Sequence, residues 1–257
     1  MDAPAAVKPV KINRWLPYWA VLQADVQQTL CSWVYRTWVL VSVLAAVGYL
    51  LYQLGVYREA HIVQPASALI SDLLRWTVLG SVTLIIVMTA GCISSERGTM
   101  ADSVLSRGIS RYQFFLGKWH ARLATILGTF LLMGIGALIG SWCLLHEDLS
   151  LTGSLVALAT VAALLALVIS CGVTVSAMTN STVLGIAVLW LALYGTGFAL
   201  ALLPEHVPSP DRALSNLPYV LRGDYNLWTL GRLVGGSAVI SCVVAAVGMV
   251  CCARRDV

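Results

Sequence analysis

LSLTGSLVALATVAALLALVISCGVTVSAMTNSTVLGIAVLWLALYGTGFALALLP, residues 149–204, runs for 56 residues without one Asp, Glu, Lys or Arg. A single helix of that length would reach about 84 Å, far beyond the roughly 30 Å hydrocarbon core of a bilayer. The stretch must cross a membrane twice, and its polar knot, Thr179-Asn180-Ser181-Thr182, marks the turn. Four more charge-free gaps stand around it, at 37–57, 76–95, 123–145 and 233–253. Each is near the ~20 residues that one helical crossing needs. Six spans follow, over about 36–57, 70–94, 120–145, 151–177, 182–203 and 231–252. The mean hydropathy of +0.84 and a charged share of 11% exclude an ordinary soluble domain, where about a quarter of residues carry charge. A soluble core does not repeat at membrane length five times over.

The charges between the gaps set an orientation. Lys8, Lys11, Arg14 and Arg36 precede span one, Arg97, Arg107, Arg111, Lys118 and Arg122 lie between spans two and three, and Arg254 and Arg255 follow span six. Only Arg58, Arg75, Arg212, Arg222 and Arg232 fall on the other side, so both termini are expected to be cytoplasmic. The first 34 residues hold Lys8, Lys11, Arg14 and Asp25 and lack the compact apolar stretch of a secretory signal. Within them, Ile12, Trp15, Leu16, Trp19, Leu22, Val26, Leu30 and Trp33 recur at three- and four-residue steps, with Gln23, Gln27 and Gln28 beside them. This predicts an amphipathic helix lying in the headgroup layer. The expected organisation is residues 1–34 as a cytoplasmic N-terminus with that helix, and 35–257 as a six-helix transmembrane domain.

Other features carry less chemistry. Cys31, Cys92, Cys143, Cys171 and Cys242 are single and behave as small hydrophobes, while Cys251-Cys252 stands at a membrane edge where acylation is possible. Gly136/Gly140 and Gly231/Gly235 have the spacing of close helix packing. The short connection 146–151 makes spans three and four antiparallel neighbours. Residues 204–230, with Pro204, Pro208, Pro210 and Pro218, read equally as a partly re-entrant cap or a loop. His61, His146 and His206 share the expected outer face; scattered surface His is the ordinary reading, and a Zn or Cu site the rarer one.

The most informative segment is SSERGTMADSVLSRGISRYQFFLGKW, residues 94–119. Thr99-Met100-Ala101-Asp102 has the form of a helix start, and a short helix would run to about Leu105 and stop at Gly108. Ser110-Arg111-Tyr112-Gln113 is a second capping box. It opens a helix that continues into span three, about 54 Å long, with its first turns protruding from the bilayer. The result is an expected helical elbow on a rigid stalk.

This segment resembles the connection between the second and third helices of ATP-binding-cassette type-2 permeases. Glu96, Arg97, Gly98, Thr99, Ile109, Ser110, Arg111, Gly117 and Lys118 match the family's pattern, and Ala253-Arg254-Arg255-Asp256-Val257 is similar to its tail. One or two residues fewer separate Glu-Arg from Gly-Thr, and Gly108 stands where Pro is common. The resemblance implies an all-α membrane protein of six transmembrane helices, with an N-terminal amphipathic elbow and a short cytoplasmic coupling helix. It implies a permease subunit, an exporter, in the bacterial inner membrane. A separate cassette ATPase in two copies would bind ATP and Mg, and a second permease, identical or homologous, would complete the complex. Glu96, Arg97, Gly98, Thr99, Asp102, Val104, Gly108, Ser110, Arg111 and Lys118 would form the coupling and docking site, with no catalytic residue and no cofactor in this chain.

The residues themselves leave rivals. No GxxxxGK[ST] phosphate cradle occurs, so ATP hydrolysis here requires another chain. An ion-coupled carrier is expected to keep ionisable groups within its spans, which are nearly bare of them. A scaffold passing ATPase motion to an outer-face partner, such as a metalloenzyme maturation system, is expected to have a large external domain. An intramembrane enzyme would need a buried His or other acid–base group, and the four His lie in loops or at span ends. Nothing in the charge distribution points to nucleic acid.

Overall fold

The computed structural model describes residues 15–60, 65–96, 109–144, 149–202 and 209–254. Among them every regular element is helical. The helices are α1 (Leu16–Cys31), α2 (Trp33–Ala60), α3 (Ala66–Ala90), α4 (Arg111–Leu144), α5 (Leu151–Met178), α6 (Thr182–Ala201), α7 (Pro210–Ser215), α8 (Leu217–Arg222) and α9 (Leu227–Arg254). Six of them, α2 to α6 and α9, are long and apolar enough to cross a membrane. The chain is an integral membrane protein.

The 56-residue apolar stretch does fold back on itself. Thr179 has extended backbone and breaks the helix, and Thr182 begins the next one. Spans three and four, α4 and α5, pack against each other. Helix α3 stops at Ala90, short of the expected 94, and residues 94–96 form a single 3-10 turn. The reason is local. Ser176 Oγ on α5 accepts hydrogen bonds from the backbone N–H of Ile93 at 2.9 Å and of Ser94 at 3.1 Å, which turns the chain away from the helix axis.

Helix α5 is the centre of the bundle. It packs most extensively on α9 and also on α3, α4, α6 and α8. Val161, Leu165, Ile169 and Val173 along it are at most 1% exposed. Helix α2 is peripheral: Leu40, Leu44, Val47 and Leu51 face outward, as suits contact with hydrocarbon. Tyr35 and Trp38 anchor α2: both are buried in the apolar core, and each is also hydrogen-bonded to a neighbouring helix. Trp38 donates its indole N–H to Ser81 Oγ on α3 at 3.0 Å, and the Tyr35 and Thr129 hydroxyls are hydrogen-bonded between α2 and α4. Such bonds between helices are the usual fastening where lipid offers no competing donor or acceptor.

Close approach occurs at glycines other than the expected ones. Gly136, Gly231 and Gly235 have open space where a Cβ would stand, and Gly140 would only reach ordinary contact with Leu50. These small-residue spacings are therefore not packing seams within the chain. Tight approaches occur instead at other glycines, among them Gly172, where a Cβ would lie 2.6 Å from Thr89 Cβ, and Gly248, 2.9 Å from the Phe115 ring.

Residues 209–226 form a compact cap at the end of the bundle opposite α1. Ser209 caps α7 by accepting from the Arg212 N–H, Pro210 fills the first helical position, and α8 ends at Gly223 with φ of 97°, a conformation that favours glycine. Leu214, Leu217, Val220 and Leu221 are buried against α3 and α5. The Ser150 N–H donates to the Leu221 carbonyl at 3.0 Å, so the cap is hydrogen-bonded to the start of α5.

Candidate functional site

Helix α1 lies against the first half of α4, and its most buried residues are polar. Asp25 is 3% exposed and Thr29 1%, whereas Trp15, Leu16, Trp19 and Leu30 point outward. The sequence pattern predicts one apolar side and one glutamine side. In the structure the outer surface carries both Trp15 and Trp19 and the glutamines Gln23, Gln27 and Gln28, while Leu22 and Val26 are half-buried. The bundle, not the lipid, selects the inward face, and what it selects is Asp25.

Asp25 sits between two cations of α4. The Lys118 Nζ donates to Asp25 Oδ1 at 3.0 Å, and Arg122 Nε lies 3.3 Å from Asp25 Oδ2. The second contact is an ion pair without hydrogen-bond alignment, since both of its atoms lack a hydrogen-bond partner. All three side chains are at least nine-tenths buried. Lys118 also stands over the Phe114 ring, 5.3 Å from its centroid. Removing one member of so buried a group strands the others, at a cost of about 3–5 kcal/mol.

Backbone geometry makes the ion group possible. Gly117 is buried beneath α1, and a Cβ there would lie 2.8 Å from Val21 Cγ1 and 3.1 Å from Val21 Cβ. The missing side chain lets α1 approach until a short Asp reaches a Lys one residue further on. Two more contacts extend the seam: the Tyr18 hydroxyl meets His120 Nδ1 at 3.1 Å, and Thr29 Oγ1 closes back on the Asp25 carbonyl at 2.7 Å. After Cys31 the chain turns at Ser32, whose hydroxyl accepts from the Tyr35 N–H at 3.2 Å and starts α2.

The seam continues into the end of α3. Cys92 is 4% exposed. Burial pushes its thiol up, and the nearby positive charges of Arg122 and Lys118 and the Ser176 hydroxyl oppose this without reversing it. Ser94 Oγ donates to the Ala90 carbonyl at 3.0 Å and contacts Thr182 Oγ1 on α6 at 3.1 Å. The chain leaving α3 is thus held by α5 and α6.

The expected coupling residues divide into three groups. Arg97, Gly98, Thr99, Asp102, Val104 and Gly108, with the short helix expected at 99–105, lie outside the described residues, as do His61, His146 and His206. Glu96 closes the 3-10 turn. Ser110, Arg111 and Lys118 are described, and each has an internal role. Ser110 and Gln113 form the reciprocal capping box: the Gln113 N–H donates to Ser110 Oγ at 3.2 Å, and the Ser110 N–H to Gln113 Oε1 at 3.3 Å. The Arg111 guanidinium donates to the Ala253 carbonyl at 3.1 Å, tying the start of α4 to the end of α9 where a cation suits the helix dipole. Lys118 is turned inward onto Asp25 and is 2% exposed, so its ammonium serves the α1–α4 seam and not an outer docking surface.

Sequence reasoning missed Asp25, Arg122 as a buried group, and Ser176. A signal was present for the first two. Lys118 and Arg122 are like charges at i and i+4, a spacing that is unfavourable unless an anion stands between them. Asp25 falls on one helical face with Tyr18, Leu22 and Thr29.

Among the described residues no group of three or more His, Cys, Asp or Glu could hold a metal ion. Comparison of the chain with protein-family models and with curated proteins gives no match to either.

Proposed function

We propose that this chain is the membrane subunit of an ATP-driven transporter of the ATP-binding-cassette type-2 class, an exporter whose ATPase is a separate chain. The observation that carries this reading is the fixed handle at one end of the bundle. Helix α4 has 34 residues and measures about 51 Å, some 20 Å more than a bilayer core. It starts at a closed capping box, is tied to α9 through Arg111 and carries α1 through the Asp25 ion group. The other end of the 97–108 segment leaves a turn hydrogen-bonded to α5 and α6. A segment emerging between two such fixed points delivers a push to five helices at once, α1, α4 and α9 on one side and α5 and α6 on the other.

In this reading both termini and the 97–108 segment face the cytoplasm of a bacterial cell, two ATPase copies bind ATP and Mg, and two permease copies form the translocation path. Glu96, Arg97 and Asp102 supply docking charges. A hydrophobic or amphipathic cargo suits spans this apolar.

The test is a pair of substitutions outside the spans. Proline at Val104 removes a backbone donor and breaks a short helix, at about 3 kcal/mol. Ala at Ser110 removes one cap, at about 1 kcal/mol. The Val104→Pro chain is expected to reach the membrane yet lose its ATPase on purification, and Ser110→Ala to retain it with reduced coupling. Full ATPase retention and hydrolysis with proline at 104 would refute the coupling role.

A further inference from the structure

The α1–α4 seam has a consequence for how motion passes through the bundle. Three independent features fasten these helices: the Gly117 slot filled by Val21, the Asp25–Lys118–Arg122 group, and the Tyr18–His120 contact. The ion group is the least dispensable. It is buried, so water cannot replace a lost partner, and a carboxylate between two cations resists separation far more than an exposed pair does. Apolar contacts such as Val21 on Gly117 can slide, whereas a group that needs one Asp between two cations has one register.

We propose that Asp25 is a positioning residue that locks α1 onto α4, so that the two helices move as one lever through the transport cycle. This rests on the permease reading given above. A push received by α1 or by the segment before Ser110 is then delivered to span three as a whole, and through Arg111 to the end of α9. Because Ser32 is the only residue between α1 and α2, the same lever also sets the entry angle of span one.

The test uses the full chain together with its ATPase in lipid nanodiscs, with native cysteines replaced by alanine and spin labels at the exposed positions Gln27 and Tyr112. With labelled chain diluted in unlabelled chain so that only the distance within one copy is read, one narrow label–label distance is expected, the same without nucleotide and with ATP trapped by vanadate. Asp25→Asn should broaden that distance and lower ATP hydrolysis about tenfold while the ATPase still co-purifies. Asp25→Glu keeps a carboxylate facing both Lys118 and Arg122 and should largely restore both readouts, which a site that misfolds on any substitution would not allow. A distance in the native chain that shifts between the two nucleotide states would overturn the proposal, and so would an unchanged distance and hydrolysis rate in Asp25→Asn. If no ATPase accompanies the native chain, the permease reading fails by itself. The distance in the chain alone, native against Asp25→Asn, then still decides whether Asp25 holds the helices together.

Discussion

Gly117→Ala and Gly136→Ala place the same methyl group on the same helix, and they should have opposite effects. A Cβ at 117 would stand 2.8 Å from Val21 Cγ1. Carbon atoms settle at about 3.5–4.0 Å, so α1 must retreat by about 0.7 Å or more. That retreat stretches the 3.0 Å bond from Lys118 to Asp25 toward the limit of a hydrogen bond. Overpacking costs about 1–3 kcal/mol and the weakened charged bond about 1 kcal/mol, against a helix-propensity gain of about 1 kcal/mol. The net expectation is a loss of about 1–3 kcal/mol. A Cβ at 136 meets nothing within 4 Å, so only the propensity gain remains, about 0.5–1 kcal/mol of added stability. Denaturation in mild detergent, followed by tryptophan fluorescence, would measure both. If Gly117→Ala stabilises as much as Gly136→Ala, α1 is not seated on α4 as described, and the ion group loses its geometric basis.

Three other outcomes are expected. Burial raises the Cys92 thiol, so at neutral pH a permeable maleimide should leave Cys92 unlabelled while exposed Cys31 reacts; equal labelling would contradict the buried seam. Gly153→Val drives a side chain into the Val220 carbonyl, 2.2 Å from the Cβ position, and should expel α8 and open Arg222 to trypsin, whereas unchanged proteolysis would refute the docking of the cap on α5. Cysteines introduced at Asn180 and Ser215, both exposed at opposite ends of the bundle, should label from the inside and the outside respectively, and the reverse pattern would invert the orientation.

The spans were legible because the membrane imposes a length and an absence of charge, and both can be read along one chain. The turn at 179–182 and the capping box at Ser110 were legible for a similar reason, since caps are local chemistry. The Asp25 group was not, because Asp25 and Lys118 are 93 residues apart and each alone resembles a surface charge near a membrane edge. The glycines divide in the same way. Gly136 and Gly140 have a packing spacing and almost nothing to pack on, while neither Gly117 nor Gly172 has a second Gly four residues away, yet both are needed by partners that only the fold supplies. The early end of α3 likewise depends on Ser176, a residue of another helix.

The most direct test of the central claim is to purify the tagged chain from its native membrane and ask what accompanies it and what drives it. The account predicts a co-purifying ATPase and ATP hydrolysis that vanadate inhibits, with no flux under an ion gradient alone. A chain that purifies without an ATPase, and moves cargo in liposomes when only a proton or sodium gradient is applied, would contradict it.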